Sequence, residues 1–249
     1  MLKYYISENM KIKHTFVKKL TFIAPLAVII LSVLLAARYF VIDMYNWWYV
    51  LILPAVIPLI CALLSKVDDR MKNKTVLGLP VDLKKVWIAK VLTGVSIIAV
   101  STMIIFIAGV LSVYVIPIKS IFNISAISGF IGALLIIITS IWQVPLYILI
   151  SRKIGLFPSV IIGIAVSILS VFIAVQNIWW IVPFSYTSRI MCPVLNILPN
   201  GLQAIPESIT FAPELMDTST IPFVVGVSIT LFIILTLVTA KWYEKQEAK

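Results

Sequence analysis

The basic residues of this chain fall into four short groups, and pairs of long apolar runs separate one group from the next. Lys and Arg beside a membrane span resist translocation and therefore stay on the cytoplasmic side. The groups hold 17 of the 20 Lys and Arg residues, and only Arg38, Lys119 and Arg189 lie elsewhere. The members are Lys3, Lys11, Lys13, Lys18 and Lys19; Lys66, Arg70, Lys72, Lys74, Lys84, Lys85 and Lys90; Arg152 and Lys153; and Lys241, Lys245 and Lys249. This alternation predicts an integral membrane protein whose N and C termini both lie in the cytoplasm.

The composition also requires an apolar environment. Hydrophobic residues make up 61% of the chain and charged residues 12%, and the mean hydropathy is +1.11. A soluble domain is closer to half apolar and a quarter charged. The net charge of +10 is concentrated beside the apolar runs rather than along one soluble face, so it indicates membrane topology and contact with the lipid bilayer. It does not indicate nucleic-acid binding.

The lengths of the apolar runs predict six membrane spans. About 20 apolar residues cross the roughly 30 Å of hydrocarbon as a helix. Runs of this kind cover residues 20–40, 47–65, 90–114, 126–150, 157–175 and 221–240. We therefore expect residues 1–249 to form one all-α transmembrane domain. Residues 176–220 would be a long outer connection, either helical or irregular.

Residues 3–20 have the pattern of an amphipathic helix at the inner membrane interface. At 100° per residue one side would carry Tyr5, Ile6, Met10, Ile12, Phe16, Val17 and Leu20. The other side would carry Ser7, Glu8, Lys11, Thr15, Lys18 and Lys19. Such a helix lies in the interface plane with its apolar face towards lipid. The alternative is a solvated basic tail.

The cytoplasmic connection 66–89 predicts a second short helix. Pro80 stops any earlier helix, and Asp82 is a suitable N-cap. The residues that follow are Leu83, Lys84, Lys85, Val86 and Trp87, which combine apolar and basic side chains. One interpretation is a contact surface for an ATPase subunit. The other is a basic helix that only fixes the topology.

Catalytic and nucleotide-binding signatures are missing from the sequence. His14 is the only histidine, and no GxxxxGK[ST] phosphate-binding loop occurs. We therefore expect neither an enzyme nor a metal site or cofactor in this chain. A transporter of this kind would depend on a partner subunit that binds ATP and Mg²⁺.

The predicted spans carry no charge near their middle, and their most polar point lies in the fourth span. There Gln143 follows Thr139 and Ser140. These residues either line a translocation path or form interhelical hydrogen bonds, which is the commoner role of such groups and contributes about 0.6 kcal/mol each.

Three blocks in the first third of the chain carry a family resemblance. They are Lys11-Ile12-Lys13-His14-Thr15 with Lys18-Lys19-Leu20 and Ala24-Pro25; Asn46-Trp47-Trp48-Tyr49 with Leu53-Pro54 and Ile60-Cys61-Ala62-Leu63; and Leu79-Pro80-Val81-Asp82-Leu83-Lys84-Lys85-Val86-Trp87-Ile88-Ala89-Lys90. With these blocks and its span layout, the chain resembles the export-type (ABC-2 type) ABC permeases. More narrowly, it resembles the lantibiotic-immunity permease subunits of the MutE/EpiE family.

The resemblance implies a complex of two related six-span permeases, of which this chain could be the E-type or the G-type, with a pair of ATPase subunits. The complex would sit in the plasma membrane of a Gram-positive cell and expel a lantibiotic, conferring immunity or resistance. Because many lantibiotics are cationic, Glu207, Glu214 and Asp217 of the outer connection would be a meeting surface. The alternatives are an export permease for a lipid, a small drug or an ion, and a non-transporting protein such as one that sequesters the peptide or anchors a sensor.

Overall fold

The computed structural model describes residues 1–69, 81–115 and 122–245, and the side chains of all of these except 68, 69 and 115. The part described contains ten α-helices and no β-strand; its one isolated bridge joins Ile197 and Gln203. The helices are α1 (Leu2–Ile12), α2 (Phe16–Ala36), α3 (Phe40–Trp47), α4 (Leu53–Asp69), α5 (Leu83–Val115), α6 (Ala126–Ser140), α7 (Gln143–Ile154), α8 (Leu156–Ala174), α9 (Tyr186–Leu195) and α10 (Thr220–Glu244). The expected all-α fold is confirmed.

Four helical stretches are long and apolar enough to cross a membrane: Phe16–Val67, Leu83–Tyr114, Leu156–Ala174 and Thr220–Glu244. A fifth results if α6 and α7, which meet at a bend of 41°, count as one span. The first stretch has 52 residues, about twice the length that one crossing needs. A 3₁₀ segment, Ala37–Tyr39, interrupts it, and the beginning of α2 lies beside the end of α4 around one cavity. This stretch therefore folds back on itself.

The N-terminal helix is shorter than the sequence pattern predicts. The expected single helix over 3–20 is wrong, because α1 ends at Ile12 and α2 begins at Phe16. Between them Thr15 is extended (φ −97°, ψ 165°), and its hydroxyl donates to the Ile12 carbonyl at 2.9 Å. The expected solvent-facing position of Glu8 is also wrong, since only 5% of this residue is exposed.

Glu8 is buried because the polar side of α1 packs against α5. The Glu8 carboxylate bonds Lys11 and lies 3.8 Å from the buried Lys90 ammonium group. In the same interface the Tyr5 and Ser96 hydroxyls hydrogen-bond at 2.7 Å. The apolar stripe of α1, which includes Leu2, Ile6 and Met10, is consequently left exposed.

A proline in the second half of the folded-back stretch disturbs the helix before it. Pro54 has no N–H to offer the carbonyls of the preceding turn, and residues Trp48–Ile52 form a π-helical segment there. The Val50 carbonyl accepts a hydrogen bond from the Ser167 hydroxyl of α8. A hydroxyl group from a neighbouring helix thus serves a carbonyl near a proline, which is how membrane helices tolerate proline.

The same arrangement joins α2 to α5. Pro25 lies inside α2 and cannot donate to the Thr21 carbonyl. The Ser101 hydroxyl of α5 donates to that carbonyl at 2.9 Å. Two interhelical contacts of the bundle therefore originate at prolines.

Within the described part of the chain, all four basic groups have members at the same end of the bundle. The contacts are Glu8 with Lys90 (3.8 Å), Lys84 with Glu244 (3.0 Å), Arg152 against the Tyr243 ring (5.1 Å) and Lys153 against the Trp242 ring (5.9 Å). Lys11 and Lys66 line one cavity at this end. Between α7 and α8 the chain turns at the single residue Gly155, whose φ of +89° suits glycine. We call this part of the molecule the basic end.

Candidate functional site

The predicted fourth span is broken at its most polar point. Pro145 has no N–H for the Ile141 carbonyl, and the Val144 N–H donates to that carbonyl instead at 3.1 Å. The helix consequently ends at Ser140 and restarts at Gln143. The break turns both of these side chains towards the interior of the bundle.

A small cavity lies beside this break. It has a volume of about 20 Å³, which suffices for a single water molecule. Its polar lining comes from Tyr49, Ser140, Gln143, Ser167, Ser170, Thr187 and Ser188. We call these seven residues the polar seam. They come from the π-helical segment, α6, α7, α8 and α9, so the fold gathers them from widely separated parts of the sequence.

Some polar groups of the seam are hydrogen-bonded within the bundle, and others line the cavity. The Thr187 hydroxyl bonds the Thr139 hydroxyl at 2.8 Å, so Thr139 holds a seam residue in place. Among the described residues, the fully buried side-chain atoms without a hydrogen-bond partner lie elsewhere, for example in Thr21, Ser32 and Trp142. Ser140, Gln143 and Ser188 are 2%, 6% and 3% exposed, and all three line the cavity. The seam is therefore suited to bind water or the hydrogen-bonding group of a ligand.

Helix α9 is the part of the site that the sequence did not reveal. It lies in the predicted outer connection, yet most of its residues, from Tyr186 to Leu195, are buried. It packs against α6, where Leu195 fills the notch beside Gly132. The connection predicted to be outer is thus partly helical and supplies two members of the seam. The apolar residues of α9 are the sequence feature that could have indicated its burial.

Arg189 fixes α9 to its surroundings. Its guanidinium group donates to the Ala174 carbonyl at 3.2 Å and to the Glu214 carbonyl at 2.8 Å. It also lies 5.2 Å from the centre of the Trp179 ring. Since its remaining donors are largely buried, Arg189 is a structural link between α9, the end of α8 and the following loop.

The three acidic residues predicted to meet a peptide are all exposed. Glu214 lies within the 3₁₀ turn Pro213–Met216, Asp217 follows the turn, and Glu207 precedes it in the same connection. Asp217 accepts hydrogen bonds from the Ser219 N–H (2.8 Å) and hydroxyl (2.9 Å). These bonds lower the pKa of the Asp217 carboxyl below its usual value.

At the basic end, α5 begins with the cap that the sequence predicts. The Asp82 carboxylate accepts the Lys85 N–H at 3.1 Å and pairs with the Lys85 ammonium group at 2.9 Å. The bonds from Lys85 lower the pKa of Asp82. Lys84 and Lys85 are exposed and Leu83 is half-buried, so these three residues form a surface at the start of α5.

Val86 and Trp87, which were expected to share that surface, are buried. The Trp87 indole N–H donates to the Thr239 hydroxyl of α10 at 2.8 Å. Its ring lies 4.9 Å from the Tyr243 ring. In this conformation Val86 and Trp87, which are 6% and 0% exposed, offer a partner almost no surface, and α10 contacts Trp87.

Comparison with protein-family models, curated proteins and solved structures yields no match to this chain. The family resemblance of its first third therefore stays a prediction. In the described residues no cluster of His, Cys, Asp and Glu could hold a metal ion. The chemistry that the polar seam offers is hydrogen bonding by neutral hydroxyl and amide groups.

Proposed function

We propose that this chain is the membrane subunit of an exporter that removes an amphiphilic peptide from the bilayer, using ATP hydrolysed on a separate subunit. The observation that carries the proposal is the polar seam. A bundle that served only as an anchor has no need of a cavity lined by seven polar residues from five segments of the chain. A bundle that binds a polar group in transit needs such side chains.

The proposal includes six spans with both termini in the cytoplasm. Two observations support it: the Phe16–Val67 stretch folds back on itself, and the bent pair α6–α7 has the combined length of one span. The convergence of the basic groups at one end supports the orientation, because Lys and Arg stay on the cytoplasmic side.

The ATPase partner would bind at the basic end. Leu83, Lys84 and Lys85 form the candidate contact surface, since they are accessible at the start of α5. Trp87 would act behind this surface by linking it to α10 through Thr239. A displacement of the first turn of α5 would then reach the last helix of the bundle directly.

The proposed substrate is a cationic amphiphilic peptide of the lantibiotic class, and a second six-span permease would complete the complex in the plasma membrane of a Gram-positive cell. The lining of the seam is neutral, which suits an amphiphile better than an ion. Glu207, Glu214 and Asp217 on the outer connection add negative charge that would attract a cationic peptide.

Affinity purification from native membranes in a mild detergent, followed by mass spectrometry of the companions, tests the assembly. Recovery of an ATPase and a second six-span protein is the expected result. Isolation of the chain alone in several detergents would contradict ATP-driven export and favour a protein that sequesters the peptide.

A substitution in the seam tests the substrate path. Gln143→Leu should lower the survival of cells challenged with purified lantibiotics, because the seam loses its amide group. Gln176→Leu is the matched control, since Gln176 is exposed and outside the seam. Equal survival of cells carrying the two variants, at equal amounts of each variant in the membrane, would show that the seam is not part of the transport path.

A further inference from the structure

Residues 196–219, between α9 and α10, fold into a compact segment that we call the cap. The chain reverses there through a bond from the Leu198 N–H to the Leu202 carbonyl (2.8 Å) and one from the Ala204 N–H to the Asn196 carbonyl (2.9 Å). A small apolar cluster, separate from the main core, consists of Cys192 of α9 and Leu198, Ala204 and Leu215 of the cap. The cap is therefore an ordered surface with a core of its own.

The cap is attached to the bundle at the end opposite the basic end. Helix α10 begins directly after the cap and ends at Glu244, and its 25 residues span roughly 37 Å at 1.5 Å per residue. At the cap, the Asn46 amide of α3 reaches the Leu198 carbonyl at 3.5 Å and donates to the Tyr49 hydroxyl at 3.1 Å. Because Tyr49 belongs to the polar seam, one side chain connects the cap with the seam.

Three large apolar side chains of the cap are exposed: Leu202 (47%), Ile205 (37%) and Ile209 (97%). Ile209 lies in an ordered turn. The Ser208 N–H donates to the Ile205 carbonyl and the Phe211 N–H donates to the Ser208 carbonyl, both at 2.9 Å. The Ile209 side chain is thus held in solvent between hydrogen-bonded backbone groups. Exposed apolar side chains that lie together among polar residues mark interaction surfaces.

The cap is also acidic. It contains Glu207, Glu214 and Asp217 but no Lys, Arg or His, so its formal charge is −3. Within the described part of the chain, no ion pair engages any of these three carboxylates. Glu207 stands between Ile205 and Ile209 in the sequence, so the negative charge and the apolar surface occur together.

The bases outside the four basic groups do not reverse the sign of this charge. Arg189 is 8% exposed and donates to the Glu214 carbonyl at 2.8 Å; counting it with the cap gives −2. Arg38 precedes α3 in the segment Ala37–Tyr39, and Lys119 lies outside the described residues. Even when both are counted, together with Asp43 of α3, the total is −1.

We propose that the cap binds a cationic amphiphilic peptide, whose apolar side chains cover the three exposed apolar side chains and whose ammonium groups face Glu207. Charge selects this occupant. A phospholipid surface brings phosphate groups, and a second copy of this chain brings the same carboxylates, so the cap repels both. This docking rests on the proposed function, from which it takes the substrate class, and it adds the residues that the peptide contacts before it reaches the seam.

Binding to the full chain in nanodiscs of phosphatidylcholine tests the surface, because this lipid has no net charge. The probe is a fluorescent amphipathic peptide of Lys and Leu; its binding is followed by anisotropy, and empty nanodiscs give the background. The wild type should bind the probe above this background, and more tightly than the same peptide with Glu in place of Lys. A wild type that binds no better than empty nanodiscs would overturn the proposal.

Two substitutions on the cap should weaken binding. Ile209→Ser changes a side chain that is 97% exposed, so the fold loses no contact. It should raise the Kd of the probe roughly tenfold, the effect of leaving one large aliphatic side chain uncovered. Glu207→Gln should raise the Kd roughly two- to fivefold, as for exposed charge pairs, and this difference from the wild type should disappear at high salt.

Matched controls lie at the basic end. Leu2→Ser, at a position that is 71% exposed, and Glu244→Gln should bind the probe as the wild type does. A photoreactive benzophenone residue in place of Thr210, beside Ile209, should crosslink to the probe, whereas one in place of the exposed Ser7 should not. Equal loss of binding in the controls and the cap variants, or crosslinks at position 7 alone, would show that the probe binds elsewhere.

The cap and the export function fail in different ways. If Ile209→Ser binds the probe like the wild type while the wild-type chain protects cells against lantibiotics, the cap assignment is wrong and export stands. If the cap variants lose binding but the wild-type chain gives cells no protection, the cap assignment stands and export is wrong.

Discussion

Gly163 provides a direct test of how closely α4 and α8 pack. A Cβ atom at this position would lie 2.6 Å from Pro58 Cγ and 2.8 Å from the Pro54 carbonyl oxygen. Carbon atoms in contact prefer about 3.5–4.0 Å, so Gly163→Ala must move the two helices apart by roughly 1 Å. Neither neighbour can rotate away, since one is a proline ring and the other a backbone atom. Overpacking of this kind costs about 1–3 kcal/mol.

Gly226→Ala is the matched control, because a Cβ atom there meets nothing within 4 Å. Both variants gain the same helix propensity, about 1 kcal/mol, so the difference between them isolates the steric clash. Unfolding in dodecyl maltoside with increasing dodecyl sulfate, followed by far-ultraviolet circular dichroism, measures that difference. We expect Gly163→Ala to be less stable than Gly226→Ala by about 1–3 kcal/mol. Equal stability would refute the close packing of α4 against α8.

Three further substitutions probe single contacts. Ser167→Ala should lower the free energy of unfolding by about 1–3 kcal/mol, because the half-buried Val50 carbonyl loses its hydroxyl donor; an unchanged value in the same assay would contradict this. Thr239→Val should leave the Trp87 indole N–H without its acceptor and change the tryptophan near-ultraviolet circular dichroism, and a wild-type spectrum would argue against the contact. The pKa of Asp82 is lowered by Lys85, so its contribution to stability is complete above the ordinary carboxyl pKa and disappears as the pH falls through the lower, folded-state value. An acid titration of helicity should lose this step in Asp82→Ala, and identical titrations of variant and wild type would disprove it.

Helices that follow from local composition could be predicted from the sequence. The runs 157–175 and 221–240 correspond to α8 and α10, since the length of an apolar run is a property of the run itself. The Asp82 cap was equally local, because an N-cap depends on the residues of one turn. In the sequence, the only sign of the break in the predicted fourth span is Pro145, two residues after Gln143.

Features that depend on distant partners could not be predicted in this way. Glu8 looked solvent-exposed because the periodicity of α1 does not show that Lys90 lies opposite. Trp87 looked like a surface residue because nothing nearby indicates that α10 covers it. Helix α9 reaches the site because its Thr187 bonds Thr139, and these two residues are 48 positions apart in the sequence.

The long sequence separation of the polar contacts determines the order in which this protein can be assembled. Asn9 bonds Thr93, 84 residues later, and at about 5–20 residues per second the ribosome needs roughly 4–17 s to produce that partner. The Trp87 indole N–H gains its acceptor only when Thr239, 152 residues later, has been synthesised. Synthesis of that stretch takes roughly 8–30 s at the same rate. Each helix can enter the membrane as it is made, but α1 and α5 keep unpaired polar groups until later segments arrive. A chain that stops before α10 would therefore expose Trp87, making it a target for membrane quality-control proteases.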